Sequence, residues 1–256
     1  MSLLSEFAAS TIFAYFMVFC RVGGMMMMVP GIGEDFVFAR ARLGLALAVA
    51  AALAPLVVAM LPPEPPTPIG LAKAIVQESA IGMVLGLAAR LLMGALNWAG
   101  AVIAAQAGLS FATMADPTQG SQGAAVGAML SLLGLVLIFV TETHALLFRA
   151  LVESYEVFRP TELPPLGDFS DLVLRLITYS FFLGIQISAP FIIYGIVVNI
   201  GLGLLNKLMP SMQVFFIILP IQIALAFLAF AATLGPAMQW FMTSFEARMA
   251  EFLLAR

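Results

Sequence analysis

Leu71 to Ala115 is an apolar stretch of 45 residues (71 to 115 inclusive), interrupted only by the charges Lys73, Glu78 and Arg90 in its first half. As one straight helix it would measure roughly 68 Å, against a hydrocarbon core of about 30 Å. Such a chain must fold back, break or rise out of a bilayer. Each option calls for a partner surface, because lipid cannot satisfy irregular backbone. The bend is expected at Gly94-Ala-Leu-Asn-Trp-Ala-Gly100, where two glycines and an asparagine gather. The run ends at Asp116-Pro117, since the residue before a proline is pushed away from helical angles.

The class follows from composition. Of 256 residues, 62% are hydrophobic and only 10% charged, and the mean hydropathy is +1.08. Soluble domains carry about 25% charged residues, so this chain cannot cover a soluble surface. An all-α integral membrane protein is expected, because the apolar runs reach helix-spanning length and no alternating ten-residue pattern suggests a barrel. The net charge of -3 is small and says little about partners, no basic block resembles a nucleic-acid or lipid-headgroup patch, and membrane lipid is the expected surrounding medium. Cys20 is the only cysteine, so no intrachain disulfide can form. Met1 to Glu6 has no Lys or Arg, so the first apolar run is expected to be a retained helix rather than a cleaved signal.

Six runs are visible: Phe7–Val29, Leu43–Leu61, Leu71–Ala115, Gly123–Leu151, Leu172–Leu205 and Met212–Phe241. They are read as one membrane domain over residues 1–256. Pro30-Gly31-Ile-Gly33 ends the first run, and residues 62–70 form a proline-rich linker. Gly123–Leu151 reads as a single helix, and Glu153–Asp171 as a solvent-facing acidic connection. The third, fifth and sixth runs are expected to be kinked, half-helices or hairpins; the fifth is expected to break around Pro190 and Gly195. Arg40 and Arg42 favour a cytoplasmic first loop, and the acidic segment favours the opposite side.

No catalytic set and no cofactor motif appears. His144 has no second imidazole or cysteine partner, and there is no phosphate-binding glycine loop. Glu142 and His144 read as interfacial helix-end residues, with a proton-relay role for Glu142 as the sharper alternative. Arg21, Glu78, Arg90 and Arg175 lie within or beside apolar runs, so they must pair, face a wet cavity or partner, or sit outside the lipid. Met25, Met26, Met27 and Met28 cover every side of a helix: core packing is the plain reading, and a pliable seal against partner helices or a passing chain the sharper one. Gly82-x-x-x-Gly86 and Gly123-x-x-x-Gly127 permit close helix contact. Gln106, Gln186, Asn199, Asn206, Gln213 and Gln222 want partners across an interface or water in a pore. The polar loop Phe111 to Gly123, following so long a helix, fits either an external turn or a loop lying in a water-filled passage.

Several segments resemble the FliR family of flagellar export-gate proteins. Phe19-Cys-Arg-Val-Gly-Gly24, Val29-Pro-Gly-Ile-Gly33 and Ala39-Arg-Ala-Arg-Leu-Gly-Leu-Ala-Leu-Ala48 are similar to its opening. Gln106-Ala-Gly-Leu-Ser-Phe-Ala-Thr-Met-Ala-Asp-Pro117 is similar to its central loop; Gly201-Leu-Gly-Leu-Leu-Asn-Lys-Leu-Met-Pro210, Gln213-Val-Phe215 and Leu219-Pro220 are similar to its C-terminal signature. The resemblance implies a non-enzymatic inner-membrane component of the flagellar basal body, built as a FliP-like part followed by a FliQ-like hairpin. It implies FliP-like and FliQ-like subunits as partners, FlhB-like and FlhA-like export components nearby, and unfolded secreted flagellar proteins as the cargo. It makes residues 106–123 a pore plug, with Gln106, Gly108, Ser110, Phe111, Met114, Asp116 and Pro117 as its candidate residues. Arg21, Arg40, Arg42, Asn206, Pro210 and Gln213 become candidate subunit contacts. The injectisome counterpart, SctT, is the near alternative. A secondary transporter is the alternative from another class, since broken helices and midplane polar residues also suit one.

Overall fold

The computed structural model describes residues 2–63, 65–109, 122–158, 160, 166–208 and 214–254, and among them every regular element is helical. We number the helices α1 (Ser2–Met28), α2 (Ala39–Val57), α3 (Pro68–Gln106), α4 (Gln122–Val140), α5 (His144–Val157), α6 (Leu166–Leu208) and α7 (Val214–Leu254); a 3-10 turn, Val58–Met60, extends α2. Among the described residues five helices are long and apolar enough to cross a membrane, and the bent pair α4–α5 makes a sixth candidate span. This matches the six runs of the sequence and makes the chain a multi-pass membrane protein.

The interruptions fall elsewhere than expected. α3 runs unbroken through Gly94–Gly100 for 39 residues, roughly 58 Å. Even a tilt of about 40° would leave part of it outside the hydrocarbon. Gly100 serves packing instead: a Cβ there would collide with the backbone of Gly127 on α4, whereas Gly94 faces open space. α6 likewise passes through Pro190 and Gly195, and α7 through Pro220 and Pro236. The break lies instead inside the expected Gly123–Leu151 helix. Residues Ala125–Val140 and His144–Val157 meet at 72° across Thr141–Thr143, where Glu142 has φ 59°. The linker is also shorter than expected: the Gly70 N–H bonds the Thr67 hydroxyl at 3.2 Å, so Thr67 caps α3 and Pro68 takes the first helical position, where no N–H is needed.

The chain divides into two compact units. The first comprises Met1–Leu91, Phe139–Leu176 and Glu246–Arg256. In it α2 buries Ala46, Ala50, Ala54 and Val57, a small-residue stripe at helical spacing. Tyr15 on α1 donates to the Ala51 carbonyl at 2.9 Å. Phe13, Met17 and Cys20 form a core cluster with Leu61, Leu71, Ala74 and Ile75. The second unit comprises Leu92–Ile138 and Ile177–Phe245. Leu92, Leu96, Ala99 and Ile103 make its buried stripe on α3. Gly134 receives Leu96, and Phe191 meets Phe230 with ring centroids 6.1 Å apart.

Candidate functional site

In the first unit the central feature is Arg21, which is fully buried. Its Nε donates to Glu78 Oε2 at 2.6 Å and its Nη2 to Glu78 Oε1 at 3.0 Å, a bidentate pair. Nη1 donates to the Ser154 hydroxyl at 2.9 Å, Nη2 to the Phe158 carbonyl at 3.2 Å, and the guanidinium lies 3.7 Å from the Tyr155 ring centroid. Arg21 thus joins α1 to α3 and caps the C-terminal end of α5, where a cation is favoured. The guanidinium expected to face a partner subunit is enclosed by its own chain; pairing is the reading realised. Glycine makes the approach possible. A Cβ at Gly82 would meet the Arg21 carbonyl, one at Gly86 the Met25 carbonyl, and one at Gly24 the Ser79 carbonyl. Gly82 and Gly86 had been visible as a spaced pair; Gly24 had no such signal. Ser154 and Tyr155 were also missed, because they fall in the segment read as solvent-facing, whereas α5 continues to Val157 and buries both.

The methionine tract divides by face. Met25 and Met26 are buried, Met28 is half-buried, and Met27 is 57% exposed. Arg40 is exposed. Arg42 donates to the carbonyls of Ile32 at 2.9 Å, Glu34 at 2.9 Å and Val37 at 3.4 Å, so it organises the loop between α1 and α2.

In the second unit α3 ends in a Schellman motif. The Leu109 N–H bonds the Ala104 carbonyl at 3.1 Å and the Gly108 N–H the Ala105 carbonyl at 3.3 Å, with Gly108 at φ 81°. Gly108 is therefore required by the turn itself. The turn is fixed by amides. Gln222 Nε2 donates to the Gln106 carbonyl at 3.1 Å, and the Tyr194 hydroxyl donates to the Gln222 carbonyl at 2.6 Å. Gln106 fills the notch left by Gly195: a Cβ there would collide with its side-chain oxygen. Gly195, expected as a breaker, is a receptacle. Beside this clamp lies a predominantly apolar hollow of about 320 Å³ whose lining includes Leu109, Ala125, Val126 and Phe230. Leu109, the last described residue before 110–121, and Ala125, in the first turn of α4, both line this hollow.

Of the remaining candidates, Ser110, Phe111, Met114, Asp116, Pro117, Pro210 and Gln213 lie outside the described residues. Asn199 and Asn206 are exposed on α6. Gln186 accepts from Trp240 Nε1 at 3.4 Å. His144 stacks on Phe139 at 5.2 Å, while Arg90, Arg175 and Glu142 are exposed. Among the described residues no three His, Cys, Asp or Glu side chains gather as a metal site.

Comparison with known proteins identifies the family. Residues 12–248 match the family model of bacterial export proteins, family 1. The flagellar biosynthetic protein FliR of Caulobacter vibrioides is 40% identical over 225 residues, 88% of this chain and 90% of that protein. The Escherichia coli FliR is 30% identical over 222 residues, 85% and 83% of the two chains. The Bacillus subtilis FliR is 27% identical over 220 residues, 84% and 83%. With the match extending from α1 through most of α7, the chain belongs to the FliR-containing family of bacterial export proteins and is a component of the flagellar export apparatus.

Proposed function

We propose that this protein is a non-enzymatic subunit of the flagellar type III export gate in the bacterial inner membrane, helping to form the passage for unfolded flagellar proteins. Its partners are FliP-like and FliQ-like subunits, with FlhB-like and FlhA-like components beside the gate. The observation that carries this reading is the fixed root of residues 106–123. Gln222, Tyr194 and Gly195 hold the end of α3 rigidly, as a segment obstructing a passage requires. Ile193, Ile196, Val197, Ile200, Leu204 and Leu208 supply the partner surface, an exposed apolar row on α6. Asn206 sits near the end of that row, and Pro210 and Gln213 follow it. The names of the three relatives described above, all flagellar biosynthetic proteins, favour the flagellum over the injectisome.

Detergent extraction separates this reading from a secondary transporter. A gate subunit should co-purify with FliP-like and FliQ-like chains; a protein running alone or as a small homo-oligomer would favour the transporter. Met25–Met28, with Met27 facing outward, act here as a soft seal. Replacing all four by Leu should impair motility and ion tightness more than protein level. Normal motility together with normal ion leakage would remove the seal from the account.

A further inference from the structure

Two prolines in the second unit leave backbone carbonyls without helical donors, and both sets border one cavity. Pro190 lies inside α6 and Pro236 inside α7. A proline has no N–H for the carbonyl four residues back, and its ring crowds that carbonyl. The carbonyls concerned belong to Gln186 and Ala232. Gln186, Ile187 and Pro190 on α6 and Ala232, Thr233 and Pro236 on α7 line a single cavity of about 450 Å³. Each helix thus contributes its proline and the residues three and four places before it.

The nearby hydroxyl and indole donors are directed elsewhere. The Ser188 hydroxyl bonds the carbonyls of Gly184 at 2.9 Å and Ile185 at 3.2 Å. The Thr233 hydroxyl bonds those of Ala229 at 2.8 Å and Phe230 at 3.5 Å. Trp240 Nε1, also at the cavity, reaches the Gln186 side chain at 3.4 Å. An acyl chain would fill the volume but bring no donor. Water brings two donors per molecule, and the space holds several molecules.

We propose that this cavity is a water site, in which water donates to the carbonyls of Gln186 and Ala232 between two otherwise apolar helices. The paired prolines then form a hydrated joint: the helices lack two backbone hydrogen bonds at the same level, and water replaces them in any bend the joint adopts.

The test uses the full chain co-expressed with its export partners, in membranes, with Cys20→Ala removing the natural thiol. Ala237→Cys places a thiol at the cavity; Ala231→Cys places one on an exposed position of α7 that does not line it. The reacting species is the thiolate, which hydrocarbon surroundings suppress, so a small charged water-soluble thiol reagent should modify Ala237→Cys at least about tenfold faster. Adding Pro190→Ala and Pro236→Ala should bring that rate down to the Ala231→Cys level. Equal rates for the two single variants would overturn the water site. Fast reaction that survives loss of both prolines would overturn their role in building it. If Ala237→Cys fails to accumulate, Thr233→Cys, close in volume, serves the same comparison.

Discussion

Arg21→Leu is expected to cost about 3–5 kcal/mol of stability, the range for breaking a buried ion pair by removing one partner. Much of that loss comes from Glu78, which is 1% exposed and has its two carboxylate oxygens matched to Arg21. The Ser154 hydroxyl and the Phe158 carbonyl lose a partner as well. Arg21→Lys should not rescue, because an ammonium cannot make the bidentate pair or lie flat against Tyr155. Arg21→Leu with Glu78→Leu should recover a substantial part, since no charge is then stranded. Thermal unfolding of the detergent-purified assembly, read through retention of the chain in solution, checks this. A single variant as stable as the parent would mean that Glu78 finds another partner or water.

Deleting residues Ser110 to Gly123 should make cell membranes permeable to small solutes while FliP-like and FliQ-like chains still co-purify. The two outcomes separate because the packing contacts lie outside the deleted segment: the Gln106–Gln222 bond, the Gly100–Gly127 approach and the exposed row on α6 all remain. Uptake of a normally excluded small solute gives the readout. A tight membrane containing the assembled deletion variant would remove the plug role from residues 106–123. Loss of assembly together with loss of the leak would assign the segment to subunit packing instead.

The sequence was most informative about class and least about where helices bend. Six apolar runs and the near absence of charge carry the membrane architecture, because hydropathy depends on composition alone. Gly94 to Gly100 misled because glycine serves two ends. It can permit a bend, or it can let another backbone approach, and only Gly127 opposite Gly100 decides between them. The true break at Thr141–Thr143 carries no proline or glycine, only a left-handed Glu142 between two threonines. Pro190, Pro220 and Pro236 stayed inside helices because each costs a hydrogen bond without terminating a segment held by neighbours. At the candidate site, Glu78 and Gln222 stood out as polar groups in apolar surroundings. Their partners did not: Ser154 and Tyr155 are distant in sequence from Arg21, and no local pattern links Tyr194 to Gln222. The family resemblance, carried by short motifs spread along the chain, supplied the function that no single residue could.

The central claim is that unfolded flagellar cargo passes this chain at residues 106–123. A photoreactive phenylalanine analogue at Phe111, in cells where an export substrate is stalled by a folded C-terminal fusion, tests it most directly. The account predicts a light-dependent crosslink between this chain and the unfolded part of the substrate, which disappears when the substrate lacks its export signal. Crosslinks confined to FliP-like subunits, with none to the stalled substrate, would contradict it.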